Sequence, residues 1–209
     1  MKKVKTTPTT TPTTTTTTTT AMSTNTLVMY ALLTAIVIVL QLMGSFIKFG
    51  PFSVSLVLMP IVIGAALCGP YAGAWLGFVF GMAVLFTDSG AFLAVNTIGT
   101  IIVVLLKGVL AGLGAGLVYS ALQRVNTIFA TFAAAITGPV INTGVFIIGC
   151  RIFFMDTITQ WASSFGFASA GKYMLFGLVG GNFIFELLIN IVLSPVIVRL
   201  IQMRTSKKA

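Results

Sequence analysis

Long apolar stretches separated by short polar breaks make up the chain from Thr26 onward. A helix needs ~20 apolar residues to cross a bilayer, so each stretch predicts one spanning helix. The predicted spans are residues 26–46, 53–68, 71–86, 98–122, 128–150 and 173–201, with a tight turn at Gly69-Pro70 before the third. Pro60 predicts a kink in the second span, and a loop of about twenty residues that contains Trp161 is expected before the sixth. The pattern predicts an all-α integral membrane protein, a compact bundle of six transmembrane helices.

The ends of the chain differ from this membrane domain, for which we set the bounds 26–203. Residues 1–25 are rich in threonine and almost free of apolar side chains, so they cannot bury enough surface to fold. We therefore predict a disordered cytoplasmic tail. Residues 204–209 form a short basic cytoplasmic tail.

Composition and charge support a membrane protein and predict its orientation. Hydrophobic residues make up 57% of the chain and charged residues 7%, with a mean hydropathy of +1.08, too little polar surface for a water-soluble globule. The net charge of +9 does not favour nucleic acid, because the basic residues lie singly at span ends. With both termini cytoplasmic, eight basic residues lie inside and three outside, as the positive-inside rule requires. The inner set is Lys2, Lys3, Lys5, Arg124, Arg199, Arg204, Lys207 and Lys208, and the outer set is Lys48, Arg151 and Lys172.

Two rows of glycine recur at every fourth position, one on the third span and one on the fourth. Their members are Gly69, Gly73, Gly77 and Gly81, and Gly108, Gly112 and Gly116. Glycine costs roughly 1 kcal/mol in a helix interior against alanine. Helices in lipid associate by close packing through small residues. The rows therefore predict helix packing, and the alternative is that one row admits a ligand or a partner helix.

The residues needed for most enzyme sites are scarce. The chain has no histidine, three acidic residues and two separated cysteines, so we expect no metal site, catalytic triad or cofactor. The segment "GFASAGKY" nearly matches a phosphate-binding loop. However, Tyr173 stands where a hydroxyl ligand of magnesium belongs, and no strand precedes the segment. We expect a protein that is not an enzyme.

Polar side chains within the spans are the strongest sign of a binding site, because buried polarity is costly in a bilayer. Asn182, Glu186 and Asn190 recur every fourth residue on the sixth span and share one helix face. From helix rise, we expect Gln41, Lys107 and further polar side chains of other helices to reach a similar depth in the outer half of the membrane. The expected site comprises Gln41, Asn96, Lys107, Asn142, Trp161, Asn182 and Glu186. The alternative is that Lys107 and Glu186 neutralise each other while the amides join helices. No matching polar layer is expected in the inner half, which disfavours a channel.

These residues resemble the substrate-binding S components of energy-coupling factor (ECF) vitamin transporters. The resemblance covers nearly everything after residue 26 and lies in "MPIVIGAALCGPYAGAWLGFVFG", "LLKGVLAGLGAGLVY", "NTGVF" and "NFIFELLINIVLSPVIVRLI". Ala31 and Ala35 match the Ala-x-x-x-Ala pattern by which the first helix of the family docks on a coupling subunit. The family often has Arg where this chain has Lys107.

The resemblance implies a vitamin-binding subunit in a bacterial plasma membrane, which works with a transmembrane coupling (T) subunit and two cytoplasmic ATPases. Pantothenate is the expected vitamin, because its carboxylate suits Lys107 and its amide and hydroxyls suit Asn142, Asn182 and Gln41. Few aromatic residues are expected near the site, which argues against riboflavin and folate. Hydroxymethylpyrimidine or a pyridoxine-like ring is the first alternative vitamin, and riboflavin is kept as a further one. An ion-coupled secondary transporter and a structural membrane subunit without a ligand are the alternative functions.

Overall fold

The computed structural model describes residues 24–46, 48–49, 52–53 and 56–206. Within these residues the chain is helical, apart from one antiparallel pair of two-residue strands. The elements, in chain order, are α1 Thr24–Gly44, β1 Lys48–Phe49, β2 Phe52–Ser53, α2 Leu58–Cys68, α3 Pro70–Thr87, α4 Gly90–Val95, α5 Thr97–Leu122, α6 Thr127–Phe153, α7 Met155–Ser164, α8 Ala170–Lys172, a π-helix Tyr173–Gly180 and α9 Gly181–Ser206. The predicted all-α class holds. The predicted tails lie outside the described residues, except that α1 begins two residues before the predicted boundary and α9 continues to Ser206.

Among the described residues, five helical segments are long and apolar enough to cross a membrane, which indicates a multi-pass membrane protein. The spanning segments are α1, α3, α5, α6 and the continuous run 170–203. The predicted second span differs, because α2 has 11 residues and a length of ~16 Å, about half a bilayer core. The kink predicted at Pro60 is absent from α2, since Pro60 lies in its first turn, where a helix needs no N–H donor.

The helices α3 and α5 pack backbone against backbone along their glycines. A Cβ placed on Gly77 would collide with the carbonyl oxygen of Gly108, and one on Gly73 with that of Gly112. The collisions are reciprocal, so each row leaves room for the other. Gly69 belongs to this row in sequence only. A Cβ there would meet nothing within 4 Å, and its φ of 95° shows that the turn between α2 and α3 requires glycine.

Two hydrophobic clusters divide the interior. The first joins α1, α2, α3, α5 and α6 with the C-terminal part of α9, around side chains such as Leu76 and Phe80. The second joins α4, α6, α7 and the π-helix around Phe92, Phe154 and Ile158. The α5 helix contacts both α3 and α6, and α6 contacts α9. Buried polar residues of three of these helices, Thr100 of α5, Asn142 of α6 and Glu186 of α9, therefore lie in the interior of one bundle.

The segment between α6 and the final span is a helix rather than the predicted loop. In α7, Ile158 and Ala162 lie one turn apart and are both buried, whereas Asp156, Thr159 and Gln160 are exposed. This spacing is that of an amphipathic helix resting on the bundle. The following π-helix, Tyr173–Gly180, leads directly into the polar row of α9. Such wide turns are rare and occur frequently at functional sites.

Candidate functional site

A small cavity lies between α3, α4, α5 and α6. Its volume is about 30 Å³, enough for about two water molecules. The residues that line it are Val84, Asp88, Ser89, Phe92, Thr100, Val103, Val104, Lys107, Phe146 and Phe154. Of the seven residues predicted for the binding site, only Lys107 is among them. Sequence reasoning missed Asp88, Ser89 and Thr100, although the polar break "TDSG" was the signal that could have pointed to the first two.

Lys107 places a positive charge in the wall of this cavity. It lies ten residues into α5, ~15 Å from the helix start. Its ammonium nitrogen is 5.1 Å from the centre of the Phe146 ring and 6.0 Å from that of Phe80, distances at which a ring face attracts a cation. The carboxyl groups of Glu186 and Asp88 also interact with it electrostatically. The site can therefore bind an anion only in competition with these groups.

Gln41 does not line the cavity but contacts Asp88, a residue that does. Its side-chain nitrogen donates to the Asp88 carboxylate at 2.6 Å and to the Thr87 hydroxyl at 3.1 Å. The residue is 1% exposed, and its amide oxygen has no hydrogen-bond partner among the described residues. Gln41 thus joins the C-terminal end of α1 to the end of α3 and positions Asp88 at the cavity.

The polar residues of α9 form a continuous row. Asn182 donates to the Glu186 carboxylate at 3.3 Å, and Asn190 donates to the backbone oxygen of Glu186 at 2.8 Å. One turn further, the Ser194 hydroxyl donates to the backbone oxygen of Asn190 at 2.7 Å. Glu186, Asn190 and Ser194 are buried, at 2%, 1% and 0% exposure. Past Glu186 the row continues toward the C-terminal end of α9, and the expected lack of a matching polar layer in the inner half stays a prediction.

Asn142 contributes a further buried polar group from α6. It is 6% exposed, and its amide oxygen has no partner among the residues described. Pro139, one turn earlier inside the same helix, removes a backbone donor. Among the described residues, four buried amide oxygens have no hydrogen-bond partner, and they belong to Gln41, Asn142, Asn182 and Asn190. Each of these oxygens can accept a hydrogen bond from a ligand.

Asn96 and Trp161 have different positions from those expected. The Asn96 oxygen accepts from the Gly99 amide at 2.9 Å and caps the start of α5, which is a structural role. Trp161 lies on α7 and reaches the cavity only through Phe92, with the ring centres 5.4 Å apart. Ala31 and Ala35 are both exposed on α1, away from the cavity.

Aromatic rings surround the cavity, contrary to the sequence-based expectation. Phe92 is the centre of the group. Its ring meets those of Phe146, Phe154 and Trp161 edge to face, at centre distances of 5.7, 5.0 and 5.4 Å. Phe146 and Phe154 also line the cavity themselves. The argument against ring-bearing vitamins therefore fails, since the site can offer them aromatic contacts.

The chemistry of these residues is that of binding. The interior combines one ammonium, aromatic rings and amide acceptors, and the described residues include no group of three or more His, Cys, Asp or Glu side chains that could hold a metal. The comparison with protein families identifies one match. Residues 25–200 match the model of the ECF transporter, substrate-specific component. No curated protein matches the chain.

Proposed function

The chain belongs to the family of ECF transporter substrate-specific components, and from this premise we propose that it binds a vitamin for an ATP-driven importer of the bacterial plasma membrane. The observation that supports a binding role within this chain is the cavity beside Lys107, walled by aromatic rings and set within the bundle. Its partners would be a transmembrane coupling subunit and two cytoplasmic ATPases, as implied by the family. Their ATP hydrolysis would drive the transport that this subunit serves.

Pantothenate is the proposed substrate. Its carboxylate would pair with the Lys107 ammonium, a charge-assisted contact of the stronger kind. Its hydroxyls and amide N–H would donate to the unpartnered oxygens of Gln41, Asn142 and Asn182. The acceptor and donor ends of the molecule thus find complementary groups on different helices.

A heteroaromatic vitamin is the second candidate. Hydroxymethylpyrimidine or a pyridoxine-like ring would pack against Phe92, Phe146 and Phe154, the rings at the cavity. Glu186 would accept a hydrogen bond from a ring nitrogen that carries a proton. This candidate is favoured by the aromatic cluster, whereas pantothenate is favoured by Lys107.

Binding of either vitamin requires the cavity to open, because about 30 Å³ is far below the size of a ligand pocket. The segment best suited to move is α4, which has six residues and carries Phe92 at the centre of the aromatic group. Gly90 at its start has nothing within 4 Å of an added Cβ. Displacement of Phe92 would join the cavity to the outer surface.

Four measurements test the proposal. Mass spectrometry of the small molecule that co-purifies with the chain identifies the substrate, and titration calorimetry with pantothenate, hydroxymethylpyrimidine and pyridoxine ranks the candidates. Uptake by proteoliposomes that contain the coupling subunit and both ATPases should require ATP. Uptake by the chain alone, driven by an ion gradient, would instead show a secondary transporter. A thermal stability that no vitamin changes would indicate a structural subunit.

A further inference from the structure

The polar row of α9 continues to a residue outside the predicted binding site. Asn190 is 1% exposed, and its amide nitrogen donates to the backbone oxygen of Glu186. Its amide oxygen is buried and has no hydrogen-bond partner among the described residues. A buried acceptor without a donor is costly, so the role of this oxygen requires an explanation.

The direction of this side chain follows from its partner. The oxygen and nitrogen of an amide side chain look alike, and hydrogen bonds must tell them apart. A backbone oxygen can only accept, so the group of Asn190 beside the Glu186 carbonyl must be the NH₂. The same logic applies to Asn182, whose NH₂ meets the Glu186 carboxylate. In both residues the amide oxygen therefore points away from this bond and has no hydrogen-bond partner among the described residues, while the NH₂ keeps a second N–H that can donate.

The nearest polar neighbour on the helix does not satisfy this oxygen. Ser194 lies one turn beyond, but its hydroxyl donates to the backbone oxygen of Asn190 and not to the side chain. The neighbouring helix α6 adds Asn142, whose own amide oxygen is also without a partner. Two helices that pack against each other thus each carry a buried amide oxygen without a hydrogen-bond partner among the described residues.

We propose that Asn190 is a further substrate-binding residue, whose amide oxygen accepts a hydrogen bond from an O–H or N–H group at the inner end of the substrate. The inference rests on the proposed function and adds a requirement to it. The substrate must carry a donor remote from any group that pairs with Lys107. Pantothenate, hydroxymethylpyrimidine and pyridoxine each carry a primary hydroxyl that can serve. In pantothenate this hydroxyl would donate to Asn190 in place of one of the three amide oxygens assigned to it above.

A double-mutant cycle tests this contact directly. The full-length chain and its Asn190→Leu variant are titrated with whichever of the three vitamins binds, and with the analogue in which hydrogen replaces the primary hydroxyl. The wild type should bind the analogue about tenfold more weakly than the vitamin, as expected for one lost buried hydrogen bond. Asn190→Leu should bind both compounds equally, because the acceptor is gone.

A matched control is Thr131→Val, which also removes a buried polar group. The Thr131 hydroxyl already donates to the backbone oxygen of Thr127 at 2.8 Å, so this variant should keep the full discrimination of the wild type. Asn190→Ser, with a side chain too short to reach the substrate, replaces Asn190→Leu if the latter does not fold and should likewise bind both compounds equally.

Two outcomes would overturn the inference, and they are distinct. If the Asn190 variants still discriminate tenfold, the oxygen serves an ordered water or another part of the chain, and the proposed function stands. If the wild type binds none of the three vitamins, the proposed substrates are wrong and the inference falls with them.

Discussion

The interface between α3 and α5 and the contact between α6 and α9 solve the same problem in opposite ways. At the first interface, glycine carbonyls of one helix meet glycines of the other, with no side chain between them. At the second, α9 carries the buried Glu186 and Asn190, and α6 carries the buried Asn142. The amide oxygens of Asn142 and Asn190 have no hydrogen-bond partner among the described residues.

The difference shows where the molecule is complete and where it depends on something else. Backbones in direct contact cannot move apart without losing the packing that holds helices together in lipid. Buried acceptors without donors, in contrast, make the second region less stable than it could be. We therefore expect the α3 and α5 pair to act as the rigid support and the α6 and α9 pair to respond to the substrate.

The largest expected effect is at the glycine interface. In Gly77→Ala the new methyl group would collide with the backbone of Gly108, which has no side chain that can turn away. The helices must separate, and we expect the free energy of unfolding to fall by about 3 kcal/mol. Thermal unfolding of the purified variant in detergent measures the loss.

The control for this variant is Gly144→Ala, within α6. A Cβ there would meet nothing within 4 Å, so alanine should be neutral or stabilise the helix by up to about 1 kcal/mol. Equal stability of the two alanine variants would show that the α3 and α5 contact is not a rigid support, and the contrast between the two regions would disappear.

The next effect concerns the charge in the cavity wall. Lys107→Gln removes the ammonium that would pair with a carboxylate, and we expect pantothenate to bind about 10- to 100-fold more weakly. Pyridoxine, which has no carboxylate, should be affected much less. Titration calorimetry of both vitamins distinguishes the candidates, and an equal loss for both would mean that Lys107 acts on the fold rather than on a carboxylate.

The sequence predicts the helices more completely than it predicts the candidate site. Helix lengths were predictable where apolar length alone decides them, and α5 ends at the predicted Leu122. The short α2 was not, because the apolar residues before Leu58 resemble more helix, and Pro60 fits a first turn as well as a kink. Likewise, α7 is stabilised as a helix because Ile158 and Ala162 pack against the bundle. The local sequence does not predict this contact.

The binding-site prediction identified polar residues but not their neighbours. Lys107 and Glu186 stand out in apolar helices, because a charged side chain within a membrane span is costly and usually has a functional role. Phe92 and Phe146 do not stand out, since an apolar helix gives no sign of which phenylalanine faces lipid and which faces the interior. Asp88 lines the cavity only because α3 ends beside α5, and this depends on the glycine packing between them.

A smaller effect is expected at the contact between α6 and α9. Asn142→Ala removes an acceptor that would receive a substrate donor, so we expect binding to weaken by about 1 to 2 kcal/mol. Unliganded stability should change less, because the oxygen that is lost has no partner among the described residues. Calorimetry and thermal unfolding of one preparation give both numbers. A loss of stability with unchanged affinity would make Asn142 structural and both regions alike.

The smallest effect on the isolated subunit is expected outside both regions, on the exposed face of α1. Ala31 and Ala35 are exposed there, so Ala31→Leu or Ala35→Leu should change neither stability nor vitamin affinity. If this face docks on the coupling subunit, leucine would hold the two backbones apart and prevent assembly, which co-purification with the coupling subunit and ATP-driven uptake would detect. Ala121→Leu, at an exposed alanine near the end of α5, is the matched control and should assemble normally. Normal assembly of the α1 variants would show that the coupling subunit docks on another surface of the bundle.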